Sequence, residues 1–313
     1  MKSTIGIIID PLMSLHPEKD STVAMIKEAL IRGYKVIGIE CKHLSANKGT
    51  VYGQGKSIVI SNKNKLGLAT KASWEGPLKK LSFILMRKDP PFDMEYIYAT
   101  YMLDLAEKDG VLCINPGKAL RNFNEKFYIN HFPNCIAETL VTKDDDLLKR
   151  FVLENKKTVL KPLDGMGGRS IFTVSPSDKN LNVILETLNL NGERTIMAQR
   201  YLPDIKKGDK RILLINGQPV KYLLRRIPSD ADPRGNLVRG AAPISDKLDA
   251  RDKWLCEQIA PALIENNLMF VGIDVIGRYI TEINITSPTG IRELDRQRKI
   301  NISSQLFDAI ESH

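Results

Sequence analysis

Little in this 313-residue chain points to a metal framework, a membrane or a nucleic acid. Its four cysteines (Cys41, Cys113, Cys135, Cys256) form no C-x-x-C and its four histidines no H-E-x-x-H, which argues against a zinc site or a disulfide scaffold. Isolated cysteines of this kind are expected as small core residues. The opening apolar run, residues 5–9, stops at Asp10-Pro11, too short for the core of a signal peptide or for a bilayer span. A cytoplasmic protein is expected, with no membrane partner. Aromatic residues are only 6%, and the net charge of +9 is spread along the chain rather than gathered in a stripe. That favours anions in general but no nucleic acid. No G-x-G-x-x-G follows the first apolar strand, so a dinucleotide site is not supported.

The chain opens as a βαβ unit. Residues 4–9 read as a strand, Asp20 or Ser21 as the cap of a helix with Val23, Ile26 and Leu30 on one face, Gly33 as its stop, and residues 35–40 as a second strand. Residues 51–80 read as a hairpin with loops and 82–86 as a buried strand. Arg87-Lys88-Asp89-Pro90-Pro91-Phe92-Asp93 follows, held extended by its prolines at a strand end, where open α/β sheets bind ligands. A helix over 94–108 and a strand near 111–115 complete this α/β part, which ends around Arg121. Beyond it, hairpins alternate with helices near 147–154, 182–190 and 249–266, an α+β pattern of two lobes.

Three features carry chemistry. The first is Lys161 and the loop holding Gly165, Gly167 and Gly168, between strands ending at residues 161 and 174. It has no Gly-Lys-Ser/Thr and is followed by a strand, so it is no Walker A loop. Glycines there let backbone N–H groups cover phosphates, although an ordinary tight turn uses the same residues. The second is Asp274, Glu282 and Asn284, hard oxygen donors suited to magnesium. A two-residue turn at Gly277-Arg278 would put Asp274 and Glu282 on opposite faces. A three-residue loop over 277–279 pairs them and leaves Asn284 beside them; a solvated hairpin face is the plainer alternative. The third is Arg211 and Arg226, on strands joined by Asn216-Gly217. A type I′ turn there pairs Arg211 with Tyr222, so Arg226 shares the face of Arg211 and Arg225 points away. Two guanidiniums among Leu and Ile call for an anion. Between these features, residues 197–203 form a hinge able to meet an adenine edge, with Asp209 placed to accept from ribose hydroxyls.

In order, Lys126, Lys161 with the glycine loop, the hinge, the arginines and D…E-x-N resemble the ATP-grasp superfamily. The stretches 86–101 and 161–168, with Asn124-Glu125-Lys126, 208–211, Arg234-Gly235-Asn236 and 281–289, resemble prokaryotic glutathione synthetase over nearly the whole chain. The resemblance implies a Rossmann-like α/β domain over 1–121 on the substrate side. An ATP-grasp domain over 122–313 would follow, with lobes 122–200 and 201–313. It implies ATP phosphates at Lys126 and Lys161, adenine at Gln199, Tyr201 and Leu202, and Mg2+ (or Mn2+) at Asp274, Glu282 and Asn284. Arg211 and Arg226 would stabilise phosphoryl and acyl-phosphate charge, and Arg87, Ser287 and Thr289 would line the dipeptide side. The implied partners are γ-glutamylcysteine, glycine, ATP and further copies of the chain in a homo-oligomer, often a tetramer. The segment after Ile227, with Arg234, Gly235 and Asn236, is expected to be a lid. There the family often carries Gly-Gly-Arg, whereas this chain has Gly240-Ala241-Ala242 beside Arg239. The rival readings are an ATP-grasp ligase for another peptide or protein terminus, and a non-catalytic anion binder.

Overall fold

The computed structural model describes residues 3–228 and 242–313. The expected lid residues Arg234, Gly235 and Asn236, with Arg239, Gly240 and Ala241, lie outside the described residues.

The N-terminal sheet has the order β4-β3-β2-β1-β5-β6, with β1 Thr4–Ile8, β2 Lys35–Asn47, β3 Thr50–Ile60, β4 Leu68–Pro77, β5 Phe83–Met86 and β6 Leu112–Ile114. Strands β2, β1, β5 and β6 are parallel, whereas β2-β3 and β3-β4 are hairpins. The residues 51–80 thus form the expected hairpin, β3-β4, with a loop at 61–67, and it extends the sheet. Helix α1 (Ser21–Ile31) is capped by Asp20, whose side chain accepts from the Thr22 N–H. Asp93 caps α2 (Met94–Lys108) through the Tyr96 N–H, so the Pro90-Pro91 segment ends in a fixed helix start. A short helix, α3 (Gly117–Asn122), leads out of this unit.

A four-stranded antiparallel sheet, β7-β10-β8-β9, follows, from β7 Thr139–Thr142, β8 Thr158–Pro162, β9 Phe172–Val174 and β10 Ile196–Arg200. Helices α4 (Asp145–Asn155) and α5 (Leu181–Asn189) cover it around Leu148, Leu160, Leu185 and Ile196. The third sheet runs β14-β13-β11-β15-β16, with β12 also on β11. Its strands are β11 Asp209–Ile215, β12 Gln218–Pro219, β13 Tyr222–Ile227, β14 Ala242–Lys247, β15 Phe270–Ile276 and β16 Tyr279–Asn284. Helix α6 (Ala250–Glu265) lies between β14 and β15 in sequence, and α7 (Ile291–Arg298) and α8 (Ile302–Ser312) end the chain.

The last helix returns to the first. Arg32, at the end of α1, bonds Ser304, Asp308 and Glu311 of α8, and Phe307 packs against Tyr34 and Phe83. One apolar core thus runs from Ile5 and Ile7 of β1 through Phe307 to Leu213 of β11. Of the cysteines, Cys113, Cys135 and Cys256 are buried and Cys41 is partly buried; all are free.

Asn115, at the end of β6, is a buried polar link between the first and third sheets. Its amide nitrogen donates to the carbonyls of Phe270 (2.8 Å) and Ile285 (2.7 Å), and its oxygen accepts from the Phe270 N–H (3.1 Å). An apolar side chain of similar size would strand three backbone groups away from water, at about 1–3 kcal/mol each before relaxation. Asn115→Leu is expected to lower the urea midpoint by an amount equivalent to about 3 kcal/mol. An unchanged midpoint would show that this link adds nothing.

Candidate active site

A cavity of about 740 Å³ lies between the four-stranded sheet and the third sheet, reached also by the 89–90 and 286–289 segments. Lys161, Gln199, Tyr201 and Leu202 line one wall, and Asp209, Arg211, Arg226, Asp274, Glu282 and Asn284 the other. Gly165, Gly167 and Gly168 border the opening, and the latter two take positive φ of 64° and 71°. That conformation suits residues without Cβ.

The second wall is a cross-strand ladder of charge. Asp209 of β11 stands directly opposite Arg226 of β13, Arg211 of β11 opposite Asp274 of β15, and Asp274 opposite Glu282 of β16. Arg211 grips Asp274 with two bonds, Nε–Oδ1 at 2.5 Å and Nη2–Oδ2 at 3.0 Å. Arg226 reaches both Asp274 (3.0 Å) and Asp209. Gly272 makes room for this: a Cβ there would sit 2.9 Å from the Pro288 Cβ and 3.0 Å from the Arg211 Cδ. Burial opposes ionisation of Asp274, but the two arginines overcome it and hold its carboxyl well below the usual range. Burial also raises the Asp209 carboxyl, to about 7, against the pull of Arg226; one of its oxygens, Oδ1, is buried without a partner.

Two registers differ from the sequence-based expectation, and both keep the expected faces. The Gly277-Arg278 turn has two residues, pairing Ile276 with Tyr279 and Val275 with Ile280. Asp274 meets Glu282 because Thr281 is an extra residue, a β-bulge that shifts the register by one. The Asn216-Gly217 turn has both residues at positive φ, 47° and 75°, as a type I′ turn requires. Past β12, however, β13 slips so that Arg211 pairs with Leu224, not Tyr222. A slip of two residues preserves the face, since side chains alternate with period two. Arg226 therefore still lies beside Arg211, while Arg225 goes to Asp246 on the far side.

The lysines span the cavity. Lys161 Nζ donates to Gln199 Oε1 and to the carbonyl of the bulge residue Thr281, both at 3.3 Å. Burial pushes it down to about 8, Glu282 pulls the other way, and Lys126 adds to the lowering. Lys126 Nζ lies 3.4 Å from Glu282 and bonds the Gly165 carbonyl, tying the glycine loop to β16. Gln199 also donates to Thr139 Oγ1, so its side chain is committed to the wall.

Arg87 does not line the cavity. It is buried beneath it, donating to Thr22 Oγ1 and the Pro288 carbonyl (3.1 Å each) and facing the Phe270 ring. The dipeptide-side role expected of it is thus indirect: it holds the segment carrying Ser287 and Thr289, both of which line the cavity. Asp89 and Pro90 of the same loop reach the cavity instead. Sequence reasoning gave no separate role to Glu125, which lines the cavity and bonds the residues after β16. An isolated carboxylate beside a lysine carries no signal of that kind.

The residues fit a divalent cation. Asp274 and Glu282 face each other, and Asn284 lies two residues along the same face. Its Nδ2 is spent on the Gly272 carbonyl (3.1 Å), which leaves its oxygen as the donor atom. No group of three or more His, Cys, Asp or Glu placed to hold a metal occurs among the described residues. Magnesium is commonly bound through one or two carboxylates and completed by substrate phosphates. No helix among the described residues is long and apolar enough to cross a membrane.

Two family models match this chain, the N-terminal domain of prokaryotic glutathione synthetase over residues 3–121 and its ATP-grasp domain over residues 125–299. The chain belongs to the prokaryotic glutathione synthetase family. It is 46% identical over 310 residues to a glutathione synthetase of Pseudomonas aeruginosa, covering 99% of this chain and 98% of that one. To that of Coxiella burnetii it is 42% identical over 312 residues, covering 100% and 97%. Among solved structures, D-cycloserine synthetase DcsG matches with a TM-score of 0.68 at 11% identity, over 98% of both chains. D-alanyl-alanine synthetase A from Vibrio cholerae matches at 0.61 and 14%, over 99% and 98%. Such low identities speak for the fold alone: an N-terminal α/β domain followed by an ATP-grasp domain.

Lys161 sets a pH test with two opposite signs. Folded, it loses its proton near 8, but unfolded near its ordinary 10.5. Between those values the unfolded state binds more protons, so this group's contribution to stability rises with pH. If Lys161 holds a phosphate it must do so as the ammonium, and ADP affinity is then expected to fall above pH 8, by up to ~tenfold per unit. Calorimetric titration of ADP from pH 7 to 10 checks this. Lys161→Met should bind more weakly and flatten the profile; an unchanged slope in that variant would assign the titration elsewhere.

Proposed function

We propose that this chain joins γ-L-glutamyl-L-cysteine to glycine with ATP as co-substrate, giving glutathione, ADP and phosphate. The carrying observation is the ladder Arg226–Asp209, Arg211–Asp274–Glu282, buried beside two lysines and a glycine loop in one cavity. A carboxylate is a poor electrophile and needs a leaving group. An oxygen of the cysteinyl carboxylate attacks the γ-phosphorus, the bond to the β-phosphate oxygen breaks, and ADP departs. The uncharged amine of glycine then adds to the acyl carbon, phosphate leaves with the bonding electron pair, and the amine proton passes to solvent. No protein nucleophile is required, and the work is positioning and charge neutralisation.

Each wall has a part in this. Lys126 and Lys161 hold the phosphates under Gly165, Gly167 and Gly168. The backbone at Gln199, Tyr201 and Leu202 meets the adenine, and Asp209 either accepts from the ribose or holds Arg226. Arg211 and Arg226 leave Asp274 to face the transferring phosphoryl group. Ser287 and Thr289 take the dipeptide side, held from below by Arg87. Asp274, Glu282 and Asn284 would hold magnesium, which when bound neutralises phosphate charge. The division at residue 121, the lobes 122–200 and 201–313, a cytoplasmic location and a tetrameric state complete the proposal; the free cysteines agree with a reducing compartment.

The direct test is ADP release. It should require both γ-glutamylcysteine and glycine, and glutathione should form in equal amount. ADP release with another peptide acceptor and none with this dipeptide would transfer the enzyme to a different ligase class. Glu282→Gln is expected to fold normally but lose most activity at ordinary magnesium, because a neutral amide is a poorer ligand. Near-normal turnover would remove Glu282 from the metal set. Arg226→Ala should slow turnover on the order of a hundredfold, as loss of one transition-state charge partner typically does, and Arg225→Ala far less. Equal losses would mean that the shared face of Arg211 and Arg226 has no catalytic meaning.

A further inference from the structure

Strand β16, which carries Glu282 and Asn284, is the edge strand of its sheet. Its outer N–H groups would face solvent or the cavity, free to fray just where two proposed metal donors must keep their places. One residue takes them up. The backbone carbonyl of Glu125 accepts from the Ile283 N–H at 2.8 Å. Its side-chain Oε1 accepts from the Ile285 N–H (2.9 Å), the Thr286 N–H (3.1 Å) and Thr286 Oγ1 (2.9 Å). Asn284 is therefore flanked by two peptide groups that Glu125 holds, and the 286–289 cavity wall starts from a third.

The next residue makes the arrangement more than a strand cap. Lys126 bonds the Gly165 carbonyl and lies 3.4 Å from Glu282. A two-residue segment thus connects the glycine loop, the carboxylate of β16 and the wall that carries Ser287 and Thr289.

We infer that Glu125 is a positioning residue that sets Asn284 and the 286–289 wall relative to the phosphate-binding lysine, so that cation and dipeptide sites form in register. It touches neither the reacting atoms nor, through Oε1, any ligand: that oxygen already receives three donors. This inference rests on the proposed ligase reaction for its kinetic consequence, but not for the brace itself.

Amide hydrogen exchange on the ligand-free protein separates the two. Glu125→Ala should speed exchange at Ile285 and Thr286, whose acceptor is the side-chain Oε1, far more than at Ile283, whose acceptor is the backbone carbonyl that alanine keeps, leaving the β11 and β10 amides at wild-type rates. Glu125→Gln, which keeps an oxygen acceptor without the charge, should fall between. In turnover, Glu125→Ala should raise the dipeptide KM and the magnesium needed for half-maximal rate, each roughly 10- to 100-fold, as loss of a residue orienting metal ligands typically does. The KM for ATP should change much less, and Glu125→Gln should recover most of the loss. Wild-type exchange at Ile285 and Thr286 in Glu125→Ala would overturn the brace. Faster exchange with both kinetic constants unchanged would overturn the positioning role. If wild-type protein makes no glutathione while the amides respond as stated, the reaction assignment fails and the brace stands.

Discussion

The site depends on keeping two guanidiniums and three carboxyl groups side by side on one face of a buried sheet. Arg226, Arg211 and Asp274 are nearly inaccessible to solvent, and Asp209 and Glu282 only partly exposed. Charges cost several kcal/mol each to remove from water, so such a row is tolerable only if the signs alternate and the hydrogen bonds are filled. The cross-strand register provides that alternation from Arg226 to Asp274; where it sets Asp274 against Glu282, two carboxylates, Lys126 and Lys161 supply the positive charge. Removing one of the buried members, Arg211, Arg226 or Asp274, leaves an uncompensated charge, commonly a loss of about 3–5 kcal/mol. The same balance suits catalysis: cations that now neutralise carboxylates are already beside the place where phosphate charge would arrive.

Much of the remaining structure holds this row in place. Asn115 ties the N-terminal sheet to β15 and to the residue after β16, Arg87 supports the segment after β16 from below, and Glu125 caps its edge. The shared core from Ile5 to Phe307 and Leu213 joins the first and third sheets. The four-stranded sheet has its own smaller core and meets the others across the cavity, through Lys161 to Thr281 and Lys126 to Gly165. Two of the contacts across the cleft are thus made by the lysines proposed to bind nucleotide. Phosphates arriving there would replace protein partners of those lysines with ligand ones.

The candidate site was legible in the sequence wherever residue type and parity were enough. Asp274 and Glu282 were paired by taking a three-residue loop over 277–279, and Arg226 but not Arg225 was put beside Arg211 by alternation from the Asn216-Gly217 turn. The details of both hairpins were not legible. A bulge at Thr281 and a slip after Pro219 are choices among backbone arrangements of similar local energy, settled by the neighbouring strands and by Lys161, which takes the Thr281 carbonyl. The faces came out right because a bulge and the shorter turn offset one another at β16, while the slip at β13 was even.

What the sequence determined by itself was composition and pattern. The caps at Asp20 and Asp93, the amphipathic helices, the Asn216-Gly217 turn and the order of lysines, glycines, arginines and carboxylates are local or nearly so, because each depends on a few neighbouring residues. Tertiary structure alone decided which groups far apart in the chain meet. Arg87 went under the cavity because Thr22 and Pro288, 65 and 201 residues away, supply its partners. Glu125 gained its place because β16 is an edge strand with N–H groups to fill. Hydrogen bonds and ion pairs act over a few ångströms of space whatever the separation along the chain, so no local pattern announces them.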